Sequence, residues 1–164
     1  MSMPPKPAGR PRTGARVAAV QALFQSEQSG ETAETVAQQF IRHRIGAGEG
    51  DDAFDEGRVP LAHIPLFEAI LKAAATRAEA TDAEIRAHLQ RDWTLERLDP
   101  VLRALLRAAA AELMSGKEPP ARVVINEYLD IVRGFLDEET SRFANGVLDA
   151  MAHTLRPQEF GAAR

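Results

Sequence analysis

The sequence predicts an all-α fold, about seven helices arranged as two small packed helical bundles. Apolar residues recur every three to four positions in almost every segment, and helix-start and helix-stop residues stand where those runs begin and end. No segment carries the apolar/polar alternation of a half-buried strand, and no repeat of fixed period is present. A chain of 164 residues can bury one good core or two small ones side by side.

The elements follow in order. Residues 1–12 form a Pro-rich, basic and flexible arm, after which Thr13 can cap a helix reaching about Ser29. Val17, Val20, Leu23 and Phe24 make its inner face, and Gly30 is its stop. A second helix follows Thr32, with Val36, Phe40, Ile41 and Ile45 apolar and Gly46 at its end. Periodicity then fails: Gly46 to Pro60 contains four glycines and five acids and reads as a mobile surface loop. Its Asp51, Asp52, Asp55 and Glu56 lack the alternating ligand positions and closing Glu of a calcium loop.

Pro65 suits the first turn of a third helix, whose stripe is Phe67, Ile70, Leu71, Ala74 and Ala78. Thr81 and Glu84 have capping-box spacing for a new helix that carries Ile85 and Leu89. Asp99-Pro100 starts a long helix through Leu102, Leu105, Leu106, Ala109 and Leu113 to Gly116. Pro119-Pro120 breaks the chain before a helix with Val124, Ile125, Tyr128, Leu129 and Val132 on one face. Gly134 to Glu139 separates this from a last helix with Phe143, Val147, Ala150 and Met151 inward, and Pro157 ends the regular structure. The expected organisation is one domain over 13–157, an N-terminal subbundle to about 80 and a C-terminal one from about 81, with a tail at 158–164.

Composition narrows the function. Without cysteine there is no disulfide, thiolate metal site or thiol nucleophile. His43, His63, His88 and His153 lack the i+4 partner of a helical zinc site and read as surface or half-buried residues. No phosphate loop, dinucleotide glycine pattern or Gly-x-Ser-x-Gly turn is present, and acid pairs such as Asp137-Glu138 fall in breaks, so an enzyme and a cofactor are not expected. No apolar run approaches the roughly 20 residues that span a bilayer, and the N-terminus has no signal-peptide core. No membrane association and a cytoplasmic location are expected.

The net charge of −4 argues against a nucleic-acid partner, but its distribution does not. Met1 to Ser26 holds Lys6, Arg10, Arg12 and Arg16 and no acid, so the remainder carries −8, the −4 of the whole less the +4 of this segment. Screening limits each charge's reach to about 8 Å at physiological salt, so a cationic arm on an acidic body can still hold phosphates. A solvated tail is the plainer account of the same residues.

Two separated stretches carry a resemblance. Val124-Ile125-Asn126-Glu127, followed by Phe143-Ala144-Asn145-Gly146-Val147-Leu148-Asp149, resembles the signature of the NusB family of bacterial transcription antitermination factors. Arg16-Val-Ala-Ala-Val-Gln-Ala-Leu-Phe24 resembles that family's opening helix. The resemblance covers about Arg12 to Pro157, with the Gly-rich loop as an insertion. It implies an all-helical fold of two three-helix-type bundles without catalytic activity. It also implies pairing with NusE, a small-subunit ribosomal protein, and binding of the boxA element in single-stranded nascent RNA. The pair would act in an RNA polymerase antitermination complex, notably on ribosomal RNA operons.

The charge distribution offers Lys6, Arg10, Arg12 and Arg16 as RNA contacts, and the resemblance matches Arg10, Arg12 and Arg16 to the family's arginine-rich arm, although Thr13 and Gly14 stand where a fuller arginine cluster is common. Gln21, Phe24, Glu139, Arg142 and Asn145 complete the RNA set, while Phe24 equally suits burial. Leu102, Arg103 and Leu106 would face the protein partner. Leu102 replaces an acid common in the family, so it either makes an apolar contact with the partner or turns inward, and Ala111 replaces a common tyrosine. Asn126 and Glu127 can tie their helix to neighbours, by a buried hydrogen bond or through Arg107, and Gly146 suits close approach of another helix. Two other readings stand beside this one: a helical protein-interaction adaptor without an RNA role, and an RNA-targeting domain related to that of RNA cytosine methyltransferases.

Overall fold

The computed structural model describes residues 11–45 and 62–161, and the arm up to Arg10 and the expected loop at 46–60 lie outside them. The described residues form seven α-helices: α1 (Pro11–Ser29), α2 (Ala33–His43), α3 (Ile64–Thr76), α4 (Ala78–Ala87), α5 (Pro100–Met114), α6 (Ala121–Phe135) and α7 (Glu138–Leu155). Two 3-10 turns, Leu95–Arg97 and Pro157–Phe160, complete them. The chain divides into two compact units at Lys72/Ala73, inside α3.

In the first unit α1 packs on α2. Gly30 ends α1 with φ 79°, a left-handed value that glycine adopts without steric cost. Thr32 caps α2 by accepting the Thr35 N–H at 3.1 Å, as the sequence predicts. Val36 and Phe40 are buried, and Phe40 stacks on Phe67 of α3 with ring centroids 5.9 Å apart. His63 starts α3: its Nδ1 accepts the Leu66 N–H at 3.1 Å while its own N–H donates to the Pro11 carbonyl.

The second unit is built round α5. Every residue from Ala108 to Leu113 is buried, together with Leu102, Leu105 and Leu106, so this helix is enclosed except along a half-buried side that carries Arg103 and Arg107, four residues apart. It touches α4, α6 and α7, and four consecutive alanines keep its own bulk small where they pack. Asp99 caps it, accepting the Val101 and Leu102 N–H groups at 2.8 and 3.2 Å, with Pro100 in the first turn. Arg107 fixes α4 through a two-pronged pair with Asp82, at 2.9 and 3.1 Å. Tyr128 of α6 donates its hydroxyl to the buried Glu112 carboxylate at 2.9 Å.

Several expectations are corrected. Thr81 does not begin a helix: α4 starts at Ala78, the Thr81 N–H already bonds the Arg77 carbonyl, and its buried hydroxyl donates back to Ala78 O at 3.0 Å. Ala78 is exposed, outside the α3 stripe. On α7 the buried face is Ser141, Ala144, Val147, Leu148, Met151 and Ala152, which leaves Phe143 and Ala150 half-buried at its edges. The break before α7 is only Leu136 and Asp137. Asn126 is exposed and so makes no buried hydrogen bond.

Pro157 ends α7 but not the ordered chain. Arg156, only 2 % exposed, donates from Nε to Leu113 O at 3.0 Å, from Nη2 to Glu112 O at 3.3 Å and from Nη1 to Pro119 O at 2.6 Å. Nη1 also reaches Lys117 O at 3.3 Å and Glu159 at 3.2 Å, while Glu159 accepts the Ala121 N–H at 2.8 Å. Without Arg156 the Leu113 carbonyl is left buried without a donor, at about 1–3 kcal/mol, and the Glu159 carboxylate loses its ionic partner. Arg156→Ala should therefore lower unfolding free energy by about 3 kcal/mol or more, read as a fall in the urea midpoint at constant slope. Arg156→Lys should rescue little of it, because one ammonium cannot reproduce the planar fork.

Candidate nucleic-acid interface

The residues expected to touch RNA fall into two groups, one in each unit. On α1, Arg12 is exposed, whereas Arg16 is 2 % exposed and engaged within the fold. Arg16 is therefore not an arm residue open to phosphate, a correction that follows from the helix starting at Pro11 and carrying it inward. Gln21 and Phe24 are half-buried, a turn apart, and the Gln21 Oε1 is buried without a hydrogen-bond partner. Arg12 and Gln21 are nine residues apart, roughly 180° round a helix, so α1 does not present the set as one stripe. Lys6 and Arg10 lie outside the described residues.

On α7 the expected residues do come together. Glu139, Arg142 and Asn145 succeed one another at three-residue spacing and all are exposed, on the face opposite the buried one. Asp137 sets where this stripe begins: it caps α7 by accepting the Thr140 N–H at 2.7 Å. Hydrogen bonding from Thr140 holds the Asp137 carboxyl below its ordinary value of 3.8. Gly146 adjoins Asn145 on the exposed side, and a Cβ built there meets nothing within 4 Å. The expectation that Gly146 admits a neighbouring helix is thus corrected.

The residues expected to face a protein partner do not offer a free surface. Leu102 and Leu106 are 3 % and 0 % exposed, so the inward alternative holds for Leu102 and both belong to the core. Arg103 directs Nη1 to the carbonyls of Leu95, Glu96 and Leu98 at 3.1, 3.3 and 2.9 Å, and so clamps the 3-10 turn that precedes α5. Beside α7 the structure adds a residue that periodicity did not single out. Trp93 is 45 % exposed, and its ring lies 6.0 Å from that of Phe143. The signal for it was composition: it is the chain's one tryptophan, placed in a polar connector.

Among the described residues no group of three or more His, Asp or Glu side chains could hold a metal ion, and no helix is long and apolar enough to cross a membrane. The histidines stand apart: His43 and His153 are exposed, and His63 and His88 are half-buried, the latter against Glu84 at 2.7 Å.

Compared with known proteins, residues 13–153 match the model of the NusB family. The chain belongs to the NusB family. The transcription antitermination protein NusB of Granulibacter bethesdensis is 54 % identical over 155 residues, covering 94 % of this chain and 95 % of that protein. Its counterpart in Gluconobacter oxydans is 50 % identical over 146 residues, with 89 % of each covered. Among solved structures, T. maritima NusB superposes with a TM-score of 0.69 at 26 % identity, covering 98 % of this chain and 99 % of that one. A complex of the antitermination factors NusB and NusE with dsRNA gives the same TM-score and identity, covering 88 % of this chain and 98 % of that one. The all-α fold is thus that of the NusB family, and both the Granulibacter and the Gluconobacter relatives are transcription antitermination proteins.

Two outcomes follow for α7. The Asp137 carboxylate's contribution is complete above its ordinary pKa of 3.8 and is lost as pH falls through the lowered value. The Thr140 amide resonance should therefore titrate with a midpoint below 3.8, and Asp137→Asn should keep the cap while abolishing that titration. Gly146→Ala should stabilise the fold by about 1 kcal/mol, seen as a higher melting temperature, because the helix gains propensity and the new methyl meets no neighbour.

Proposed function

We propose that the chain is a non-enzymatic, RNA-binding antitermination factor of the bacterial cytoplasm. It pairs with NusE, a small-subunit ribosomal protein, and binds boxA-type RNA within an RNA polymerase antitermination complex, supporting ribosomal RNA transcription. The observation that carries this reading is family membership over residues 13–153, joined to near-complete coverage of antitermination proteins up to 54 % identical. A solved relative in complex with NusE and dsRNA supports the partner classes. The adaptor reading loses the support it drew from Leu102, which is buried. Coverage of about nineteen-twentieths of a relative that is itself a NusB protein favours the antitermination reading over a methyltransferase appendage.

On this reading the work divides between charge and shape. Lys6, Arg10 and Arg12 meet phosphates, and Glu139, Arg142 and Asn145 meet base edges, with Gln21 and Phe24 as the helix-edge contacts of α1. Arg142 and Asn145 donate to base acceptors, and Glu139 accepts from exocyclic amines.

The experiment is fluorescence anisotropy of a labelled boxA-type RNA, single-stranded and duplex, against a scrambled control, with the protein alone and with NusE. Selective binding that tightens with NusE is expected, and equal weak binding to every RNA with no effect of NusE would overturn the reading. Changing Lys6, Arg10 and Arg12 to alanine should weaken all RNAs alike. It should also flatten the slope of log affinity against log salt by about 0.7 per lost single-strand phosphate contact, roughly 2 in total.

A further inference from the structure

Three large apolar residues are exposed among those described: Trp93, Val123 and Phe135. Only Trp93 is built into a cluster with a second ring and a cation. Phe143 stands against it with ring planes at 50°, and the Arg97 guanidinium carbon lies 5.9 Å from its ring centroid. A cation near a tryptophan face is attracted by the ring quadrupole, and the residue keeps 45 % of its surface exposed with both neighbours in place.

The segment that bears Trp93 is held firmly. Leu95 and Leu98 are 1 % and 4 % exposed and anchor it in the core. Arg103 clamps three of its carbonyls, the Trp93 N–H donates to Gln90 O at 2.9 Å, and Arg97 Nη1 reaches Asp92 O at 3.3 Å. An indole 45 % open on so fixed a connector is a surface already ordered, which loses little further freedom when something lies on it.

The charges around it indicate the occupant. Arg91 and Arg97 flank the indole in sequence and are exposed, and exposed Arg142 precedes Phe143 on α7. Of the nearby acids, Glu96 is paired to Arg86 at 2.9 Å and Asp92, next to the indole in sequence, is exposed, so the cations outnumber the acids by three to two. A π-face beside a guanidinium suits a flat, electron-rich ring on an anionic backbone, which describes an unpaired nucleotide.

We propose that Trp93, with Arg97 near its ring and Phe143 at its side, is a stacking platform for an unpaired RNA base, extending the α7 stripe. This rests on the RNA-binding reading above and assigns to it a residue outside the matched motifs. Stacking is indifferent to base identity, so the platform adds affinity, while sequence choice stays with the hydrogen-bonding groups of α7.

Trp93 is the chain's sole tryptophan, so its emission reports on this position directly. The full chain is titrated with unlabelled single-stranded boxA-type RNA, with the anisotropy of labelled RNA followed in parallel. Emission should be quenched along the same curve, acrylamide should reach the indole less well in the complex, and a duplex of the same sequence should do neither. Trp93→Ala should weaken single-strand binding about tenfold, Trp93→Phe should retain most of it, and both should melt near the parent temperature. Saturated RNA binding with unchanged emission, or parental affinity in Trp93→Ala, would overturn the platform and leave RNA binding standing. If no RNA binds, both readings fail. An emission change produced by NusE without RNA, and none by RNA, would assign the cluster to a protein contact and overturn the proposal.

Discussion

The second unit depends on how Arg156 and Glu159 close the end of α5. The last carbonyls of a helix have no partner inside it, and α5 is enclosed, so water cannot serve them all. Arg156 supplies the donor to Leu113 O and a second one to Glu112 O, which also accepts the Ser115 N–H, and its positive charge sits at the negative end of the helix dipole. The same guanidinium holds the α5–α6 connector at Lys117 and Pro119. Glu159 neutralises the arginine and takes up a free N–H at the start of α6. One ion pair of i,i+3 spacing thus joins the end of α5, the start of α6 and the end of α7. A buried arginine is tolerated only when its donors are satisfied; Nε, Nη1 and Nη2 all are.

That closure explains why the exposed residues of α7 keep a fixed position on the unit. The helix is pinned at its start by the Asp137 cap and at its finish by Arg156, whose backbone N–H continues the helical ladder to Ala152 O. Between these points six residues, from Ser141 to Ala152, are buried. Rotation of α7 about its axis would expose Leu148 or Met151, at a cost of about 1.5–3 kcal/mol for each large side chain. Glu139, Arg142 and Asn145 can therefore change rotamer but not register. Gly146, with no internal neighbour to make room for, lowers helix propensity on this face without any gain to the core.

Periodicity made the helices legible because burial enforces it: the α6 stripe of Val124, Ile125, Tyr128, Leu129 and Val132 is buried throughout. Caps were legible where a side chain serves them, as at Thr32 and Asp99, and illegible at α4, whose cap position Arg77 makes no side-chain hydrogen bond; Thr13, expected to cap α1, lies inside that helix, which starts at Pro11. The Thr81–Glu84 pattern misled because a hydroxyl inside a helix can bond its own preceding turn instead of capping. The site was harder. Leu102 lies on a helix whose outer side is only the narrow strip of Arg103 and Arg107, and the family's acid at its position pointed outward where the side chain is buried. Arg16 looked cationic and free in one dimension and is enclosed in three. Arg156 and Trp93 owe their roles to partners 37–44 and 50 positions away, a separation that local patterns do not encode.

On the proposed RNA-binding reading, the burial of Arg16 alters the balance of forces. The N-terminal cations left for phosphate fall from four in sequence to Lys6, Arg10 and Arg12, against a remainder whose net charge repels phosphate. Within a screening length of about 8 Å the arm still attracts, but beyond it the acidic body no longer repels strongly either. On that reading long-range steering is weak, and complex lifetime would come from contacts that salt does not screen. Stacking and base-edge hydrogen bonds are of that kind, and they require rigid, solvent-facing groups. α7 and the Trp93 connector meet that requirement because both are fixed to the core by residues that do not themselves reach the surface. In such a protein, buried anchors such as Leu95, Leu98 and Arg156 govern recognition as much as the groups that would touch the RNA.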